Sequence, residues 1–228
     1  MGVEKTTEDL NLIHITLSLW DTGGQERFGF FKTDFFKGVA AVALVFDLSR
    51  PDTFDSIDEY FDDIRERSGN IPIILVGNKD DLKKDIGETI PREKITHIVN
   101  QYNLFEYIET SALNNLNVEE LFHRLALTAL IDLKPRLGEI INPNHFRFKV
   151  LLVGAAAVGK STLINVFTRK KFEENYKLTI GLDLMIQSLE IEEEDIPNET
   201  LNLMKNATKK KRIKKIRKNE EVKSSLNG

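Results

Sequence analysis

The sequence predicts an α/β fold, a six-stranded and mainly parallel sheet with helices on both faces. Two observations lead there. Apolar runs alternate along the chain with amphipathic stretches of helical spacing, the pattern of successive strand–helix–strand units. Two of those runs, Val39 to Phe46 and Ile71 to Val76, are almost continuously apolar, which suits strands buried on both sides.

Taken in order, Leu12 to Trp20 alternates apolar and polar residues as a half-buried strand does. Val39 to Phe46 is the second strand. Asp52 to Arg67 has helical spacing, with Pro51 where a helix commonly begins. Ile71 to Val76 follows as the third strand and Arg92 to Tyr102 as a helix opened by Pro91. Tyr107 to Thr110 is a short fourth strand, Val118 to Leu133 a helix, Phe148 to Val153 the fifth strand and Leu182 to Ile191 the sixth. Lys134 to His145 holds Pro135, Pro143, Gly138, Asn142 and Asn144, so residues 134–146 read as a connector. The expected organisation is one domain over 1–194 and a polar, basic, disordered tail over 195–228.

Composition bounds what the chain can do. Its 228 residues, 41% of them hydrophobic, suffice for one ordinary core plus appendages. There is no cysteine, which removes disulfides, thiolate metal sites and prenyl or palmitoyl attachment. Four scattered histidines lack metal-ligand spacing. Met1 to Thr6 fits the loose myristoylation pattern, but one acyl chain anchors poorly. The longest wholly apolar run, Val39 to Phe46, falls far short of the about 20 residues a membrane helix needs. The reading is therefore a monomeric cytoplasmic chain without a transmembrane segment. Net charge is −4, yet Lys205 to Lys218 alone holds nine Lys or Arg and no acid. That run is open to three readings: a solvated tail, a contact with RNA or with anionic lipid, the latter placing the protein at a membrane periphery, or pairing with the acidic patch Glu190 to Asp195.

The first block with direct chemistry is Gly154-Ala155-Ala156-Ala157-Val158-Gly159-Lys160-Ser161-Thr162, set between an apolar strand and a helix. Such a loop turns backbone N–H groups toward phosphates and adds the positive end of the following helix. Lys160 reaches the β- and γ-phosphates and Ser161 ligates Mg²⁺. This places the fold among three-layer α/β/α P-loop NTPases and implies a nucleoside triphosphate, without naming the base.

Further blocks name it by resemblance. Trp20-Asp21-Thr22-Gly23-Gly24-Gln25-Glu26, then Asn78-Lys79-Asp80-Asp81, then Ser111-Ala112-Leu113, then the phosphate loop, then Thr179-Ile180-Gly181 are the five guanine-site blocks of Ras-like GTPases in rotated order. Ribosome-assembly GTPases of permuted type begin with the base-reading blocks and typically lack a glutamine after Asp-x-x-Gly. Here that block leads and Gln25 is kept, so the chain resembles the circularly permuted Ras-like domains over Leu10 to about Ile191. The resemblance implies that 134–146 joins the family's usual termini, with the cut in the hairpin between its second and third strands.

It also implies roles. Asp81 would accept two hydrogen bonds from guanine, supported by Asn78 and Lys79, while Ser111, the Ala112 N–H and Leu113 line the base; many relatives have lysine at the last position. Phe172 would pack near the base and Tyr176 close over the phosphates, and Tyr176 to Asp183 looks Rab-like. Thr179 would ligate Mg²⁺, Asp21 would hold it through water, Gly24 would donate to the γ-phosphate and Gln25 would orient the attacking water. Gln25, Lys160 and Thr179 are thus the catalytic expectations. Gly23 resembles the Arf and Gα version of its block.

Ala156 and Ala157 depart from the two glycines of Ras, and Ala157 must accept a conformation usual for glycine. The function that follows is a Mg²⁺-dependent GTPase switch cycling between GTP and GDP, with slow intrinsic hydrolysis. An effector, an exchange factor and an activating protein are its implied partners, none of them identified. A nucleotide-binding scaffold with little turnover is the alternative.

Overall fold

A computed structural model describes residues 12–23, 35–133, 145–169, 172 and 182–202. Its strands are β1 (Leu12–Thr22), β2 (Val39–Asp47), β3 (Ile73–Asn78), β4 (Glu106–Glu109), β5 (His145–Val153) and β6 (Leu182–Glu192). Its helices are α1 (Pro51–Asp55), α2 (Ile57–Ser68), α3 (Lys83–Ile86), α4 (Arg92–Gln101), α5 (Val118–Ile131) and α6 (Lys160–Arg169), with 3₁₀ turns at Asp80–Leu82 and Glu193–Asp195.

The six strands form one sheet in the order β4-β3-β2-β5-β1-β6. Every neighbouring pair is parallel except β1 and β6, which run antiparallel from Leu12 opposite Glu192 to Thr22 opposite Leu182. Alternating side chains serve two cores. Ala41, Ala43 and Val45 of β2 join Phe148, Val150 and Leu152 of β5 under Phe122 and Leu125 of α5 and Leu163 and Phe167 of α6. Val42, Leu44 and Phe46 face the other way, beneath Phe54 of α1, Ile57 and Ile64 of α2 and Ile95 of α4. This two-sided burial is why β2 and β3 read as unbroken apolar runs. Strand β1 reads as alternating because Ile13, Ile15, Leu17 and Leu19 enter the first core while His14 is exposed on the opposite face. Phe122 and Phe167 stack at 4.2 Å between ring centres, locking α5 to α6.

Three expectations need correction. The helix read over Asp52 to Arg67 is two helices, because Ser56 adopts φ −87°, ψ 2° and its hydroxyl donates to the Thr53 carbonyl at 3.1 Å. A serine that satisfies itself on local backbone competes with helix continuation. His145 and Phe146, read as the end of the connector, open β5 and pair with His14 and Ile15; residues 134–144 lie outside the described residues. The segment read as a tail from Asp195 begins with structure: Ile196 and Thr200 are buried, Leu201 packs against the first core, and 198–202 are helical. The basic run 205–218 lies outside the described residues. No helix among the described residues is long and apolar enough to cross a membrane.

Candidate functional site

In open parallel sheets, ligands gather beyond the carboxyl ends of the strands. Here those ends bring together Asp21 from β1, Asp47 from β2, Asn78 from β3, Thr110 after β4 and Gly154 after β5. Three polar side chains among them, Asp47, Asn78 and Thr110, have 1% exposure or less. Burial of that kind demands partners.

The phosphate loop is shaped by its backbone. Gly154 lies at φ 143° so close to β2 that a Cβ would stand 2.0 Å from the Val45 carbonyl oxygen. Gly159, at φ 97°, leaves room for Asn78, whose Nδ2 a Cβ would meet at 2.3 Å. Neither position admits another residue. Ala157 takes φ 64°, the left-handed region expected to cost an alanine about 1 kcal/mol. The Lys160 ammonium is buried and donates to the Gly154 and Ala155 carbonyls, each at 2.8 Å. Burial pushes its pKa down to about 8; Asp21 opposes that fall and the nearby Arg50 charge adds to it.

Behind Lys160, the Ser161 hydroxyl donates to Asp21 Oδ2. A hydroxyl and a carboxylate meeting at the start of α6 form a hard oxygen donor set of the kind Mg²⁺ accepts. Thr162 is half-buried in the first turn of α6, and Phe172 is half-buried against the first core. Gly24, Gln25, Tyr176 and Thr179 lie outside the described residues.

The stretch from Asn78 to Asp81 is held by side chains. Asn78 donates from Nδ2 to the Val158 carbonyl at 2.8 Å and accepts at Oδ1 from the Thr110 hydroxyl at 3.1 Å. The Ser111 hydroxyl donates to Asp81 Oδ1 and receives the Asn114 N–H at 3.1 Å. Ala112 is buried, whereas Leu113 is 51% exposed. Outside this pocket, Lys83 joins Asp80 at 3.0 Å and Glu109 at 2.5 Å. Burial would lower the Lys83 pKa, but the two carboxylates outweigh it and raise it.

Asp47 and Arg50 were not singled out in the sequence. The Asp47 carboxylate is fully buried, with Oδ1 accepting from the Ser49 N–H (2.9 Å) and hydroxyl (2.6 Å). Its Oδ2 accepts from Lys79 Nζ at 2.7 Å and Arg50 Nε at 3.1 Å. Burial would raise the pKa of this group, and the Lys79 and Ser49 donors together bring it below the usual carboxylate value. Arg50 reaches on from there, its second terminal nitrogen donating to the Ala156 carbonyl at 2.8 Å. One signal was available: an acid closing a wholly apolar strand must be paired once buried.

The sequence profile of the Ras family matches residues 1–131 and 149–212. The chain is 36% identical over 161 residues to Ras-related protein RABA4b of Arabidopsis thaliana, covering 67% of this chain and 70% of that protein. It is 36% identical over 134 residues to Ras-related protein RAB1BV of Beta vulgaris, covering 58% of this chain and 60% of that one. Ras-related protein Rab11A of Nicotiana tabacum is 32% identical over 169 residues, 73% of each chain. The chain thus spans between 60% and 73% of the length of these relatives.

Proposed function

The chain belongs to the Ras family of small GTPases, and from that premise we propose that it is a Mg²⁺-dependent, GTP-binding and GTP-hydrolysing switch with slow intrinsic turnover. The observation that carries the reading is the junction of two loops. Asn78 of the guanine block bonds Val158 of the phosphate loop, so base and phosphate would be read by one rigid unit.

In this reading Asp81, held by Ser111, accepts the guanine N1–H and amine, which adenine does not offer. The loop N–H groups and the Lys160 ammonium bind the phosphates, and Lys160 exchanges its carbonyl partners for phosphate oxygens. Ser161, Thr179 and, through water, Asp21 would hold Mg²⁺, which when bound neutralises charge on the phosphate oxygens. Gln25 orients the attacking water, Gly24 donates to the γ-phosphate, and Tyr176 closes over it. The Ala157 backbone at φ 64° and the methyl of Ala156 support slow hydrolysis, because both stand in the loop that must shape the transition state. The exchange factor, effector and activating protein implied by a switch belong to the same proposal.

We also propose that the family's domain is circularly permuted here. Chain order supports it: the phosphate loop follows the fifth strand, β5, which lies between β2 and β1 in the sheet. The antiparallel β6–β1 pair, with Glu192 opposite Leu12, supports a cut at a hairpin tip, a place where exposed backbone tolerates new ends.

Nucleotide extracted from the purified protein and single-turnover phosphate release with Mg²⁺ test the function. Bound GDP or GTP and a slow rate that falls further in Gln25→Leu are expected. A rate unchanged by that substitution removes Gln25 from the mechanism, and a protein that neither retains nor binds guanine nucleotide overturns the reading. A second reading, a guanine-nucleotide-binding scaffold, is favoured by Ala157 specifically and would appear as firm GTP retention without phosphate release.

A further inference from the structure

We infer that Arg50 is a positioning residue for the nucleotide phosphates, fixing the direction of a phosphate-loop N–H by holding the Ala156 carbonyl from outside. The inference rests on the function proposed above and extends it to a residue outside the five motif blocks.

Geometry carries it. Arg50 stands between β2 and α1, where Pro51 opens the helix and Thr53 fixes the turn by donating its hydroxyl to the Arg50 carbonyl at 2.7 Å. Thr53 also receives the Asp47 N–H on the same oxygen at 2.9 Å, so the segment from 47 to 53 is closed on itself. From this base the guanidinium uses Nε on Asp47 and a terminal nitrogen on Ala156. A planar fork engaged on two partners has few orientations left, which an ammonium cannot imitate.

The held carbonyl belongs to the peptide joining Ala156 to Ala157. In a trans peptide the C=O and N–H point in opposite directions, so pinning the carbonyl toward Arg50 turns the Ala157 N–H away from it. Residue 157 is also the one non-glycine with positive φ in the loop, at 64°. That is an unfavourable conformation for alanine, and a charge-assisted hydrogen bond on the preceding carbonyl opposes its relaxation. Arg50 thereby holds in place a peptide that glycine would otherwise be chosen to supply.

Asp47 extends the effect to the base. Its Oδ2 takes both Arg50 and Lys79, so one buried oxygen joins the phosphate loop to the guanine block. A displacement of Lys79 on base binding is felt at Ala156 through three contacts, Lys79 to Asp47, Asp47 to Arg50 and Arg50 to Ala156.

The test uses the whole chain and GDP. Release of a fluorescent GDP analogue and the ³¹P spectrum of bound GDP are measured for wild type, Arg50→Ala and Arg50→Lys, with thermal melting as a check of folding. Arg50→Ala is expected to release GDP about tenfold faster, the worth of one charge-assisted hydrogen bond, and to shift the β-phosphate resonance while melting stays within a few degrees. Arg50→Lys should remain close to Arg50→Ala, because one ammonium does not span Asp47 and Ala156. Should Arg50→Ala instead lose its fold, Arg50→Lys decides alone. Wild-type release and spectrum in Arg50→Lys overturn the inference by reducing Arg50 to a charge, and an unchanged rate and spectrum in Arg50→Ala overturn it outright. A wild-type protein that binds no GDP fails both this inference and the function on which it rests.

Discussion

The two loops that meet at the site are held by opposite means. Around Asn78, Asp81, Thr110 and Ser111, order comes from side chains that satisfy one another. In the phosphate loop, order comes from backbone conformation at Gly154, Ala157 and Gly159, with the polar ties arriving from elsewhere: Asn78, Lys160 and Arg50. The difference teaches where each half is vulnerable. A side-chain pocket fails when one partner is removed, whereas a backbone loop fails when its external ties are cut.

The strongest break of the comparison is Asn78→Ala, since Asn78 belongs to both halves. It leaves the Val158 carbonyl and the Thr110 hydroxyl without their partner in a buried place, an expected loss of about 3 kcal/mol in stability. GDP affinity should fall roughly a hundredfold at the same time. Denaturant unfolding with and without GDP measures both, and an affinity that survives would show that the two loops are independent.

The next test concerns Lys160, the tie with a charge. With its pKa pushed down to about 8 by burial, the nucleotide-free protein gives up this proton near that pH, while bound phosphates would retain it. The folded value lies below the unfolded one, so the nucleotide-free fold gains stability as pH rises from about 8 toward 10.4. GDP binding over that same window must take up a proton and should weaken as pH rises, by up to about tenfold per unit. Calorimetry at pH 9 in buffers of different ionisation enthalpy reads the uptake directly. No uptake would mean that Lys160 keeps its proton in the free protein.

The smallest effect is expected at Ala157→Gly, which relieves the positive φ but adds freedom to the unfolded chain. The net gain in stability should not exceed about 1 kcal/mol. Phosphate release should quicken if the loop's shape limits turnover, and thermal melting with single-turnover assays separates the two. A loss of stability would mean that the added freedom of the unfolded chain outweighs the strain at Ala157.

Much of this was legible in the sequence because it depends on local spacing. The strands β2, β3 and β5 announced themselves as apolar runs, and the phosphate loop and guanine block stood as contiguous strings. The contacts that join them did not, since Arg50 and Ala156 are 106 positions apart and nothing in either neighbourhood names the other. The break at Ser56 escaped because apolar periodicity runs through it; only the serine's bond to Thr53 reveals it. Residues 196–202 read as tail because four acids, Glu192 to Asp195, precede them, and the burial of Ile196 comes from its place in the first core. Gly24, Gln25, Tyr176 and Thr179 were named by motif alone.

The β6–β1 pair also has a mechanical meaning. Leu12 and Glu192 face each other at one end of an eleven-position antiparallel ladder. A pull that separates those two residues loads the rungs one after another, as a zip is opened, instead of all at once along their length. Tension arriving there would peel β6 from β1 rung by rung, while β1 stays anchored by its parallel pairing with β5.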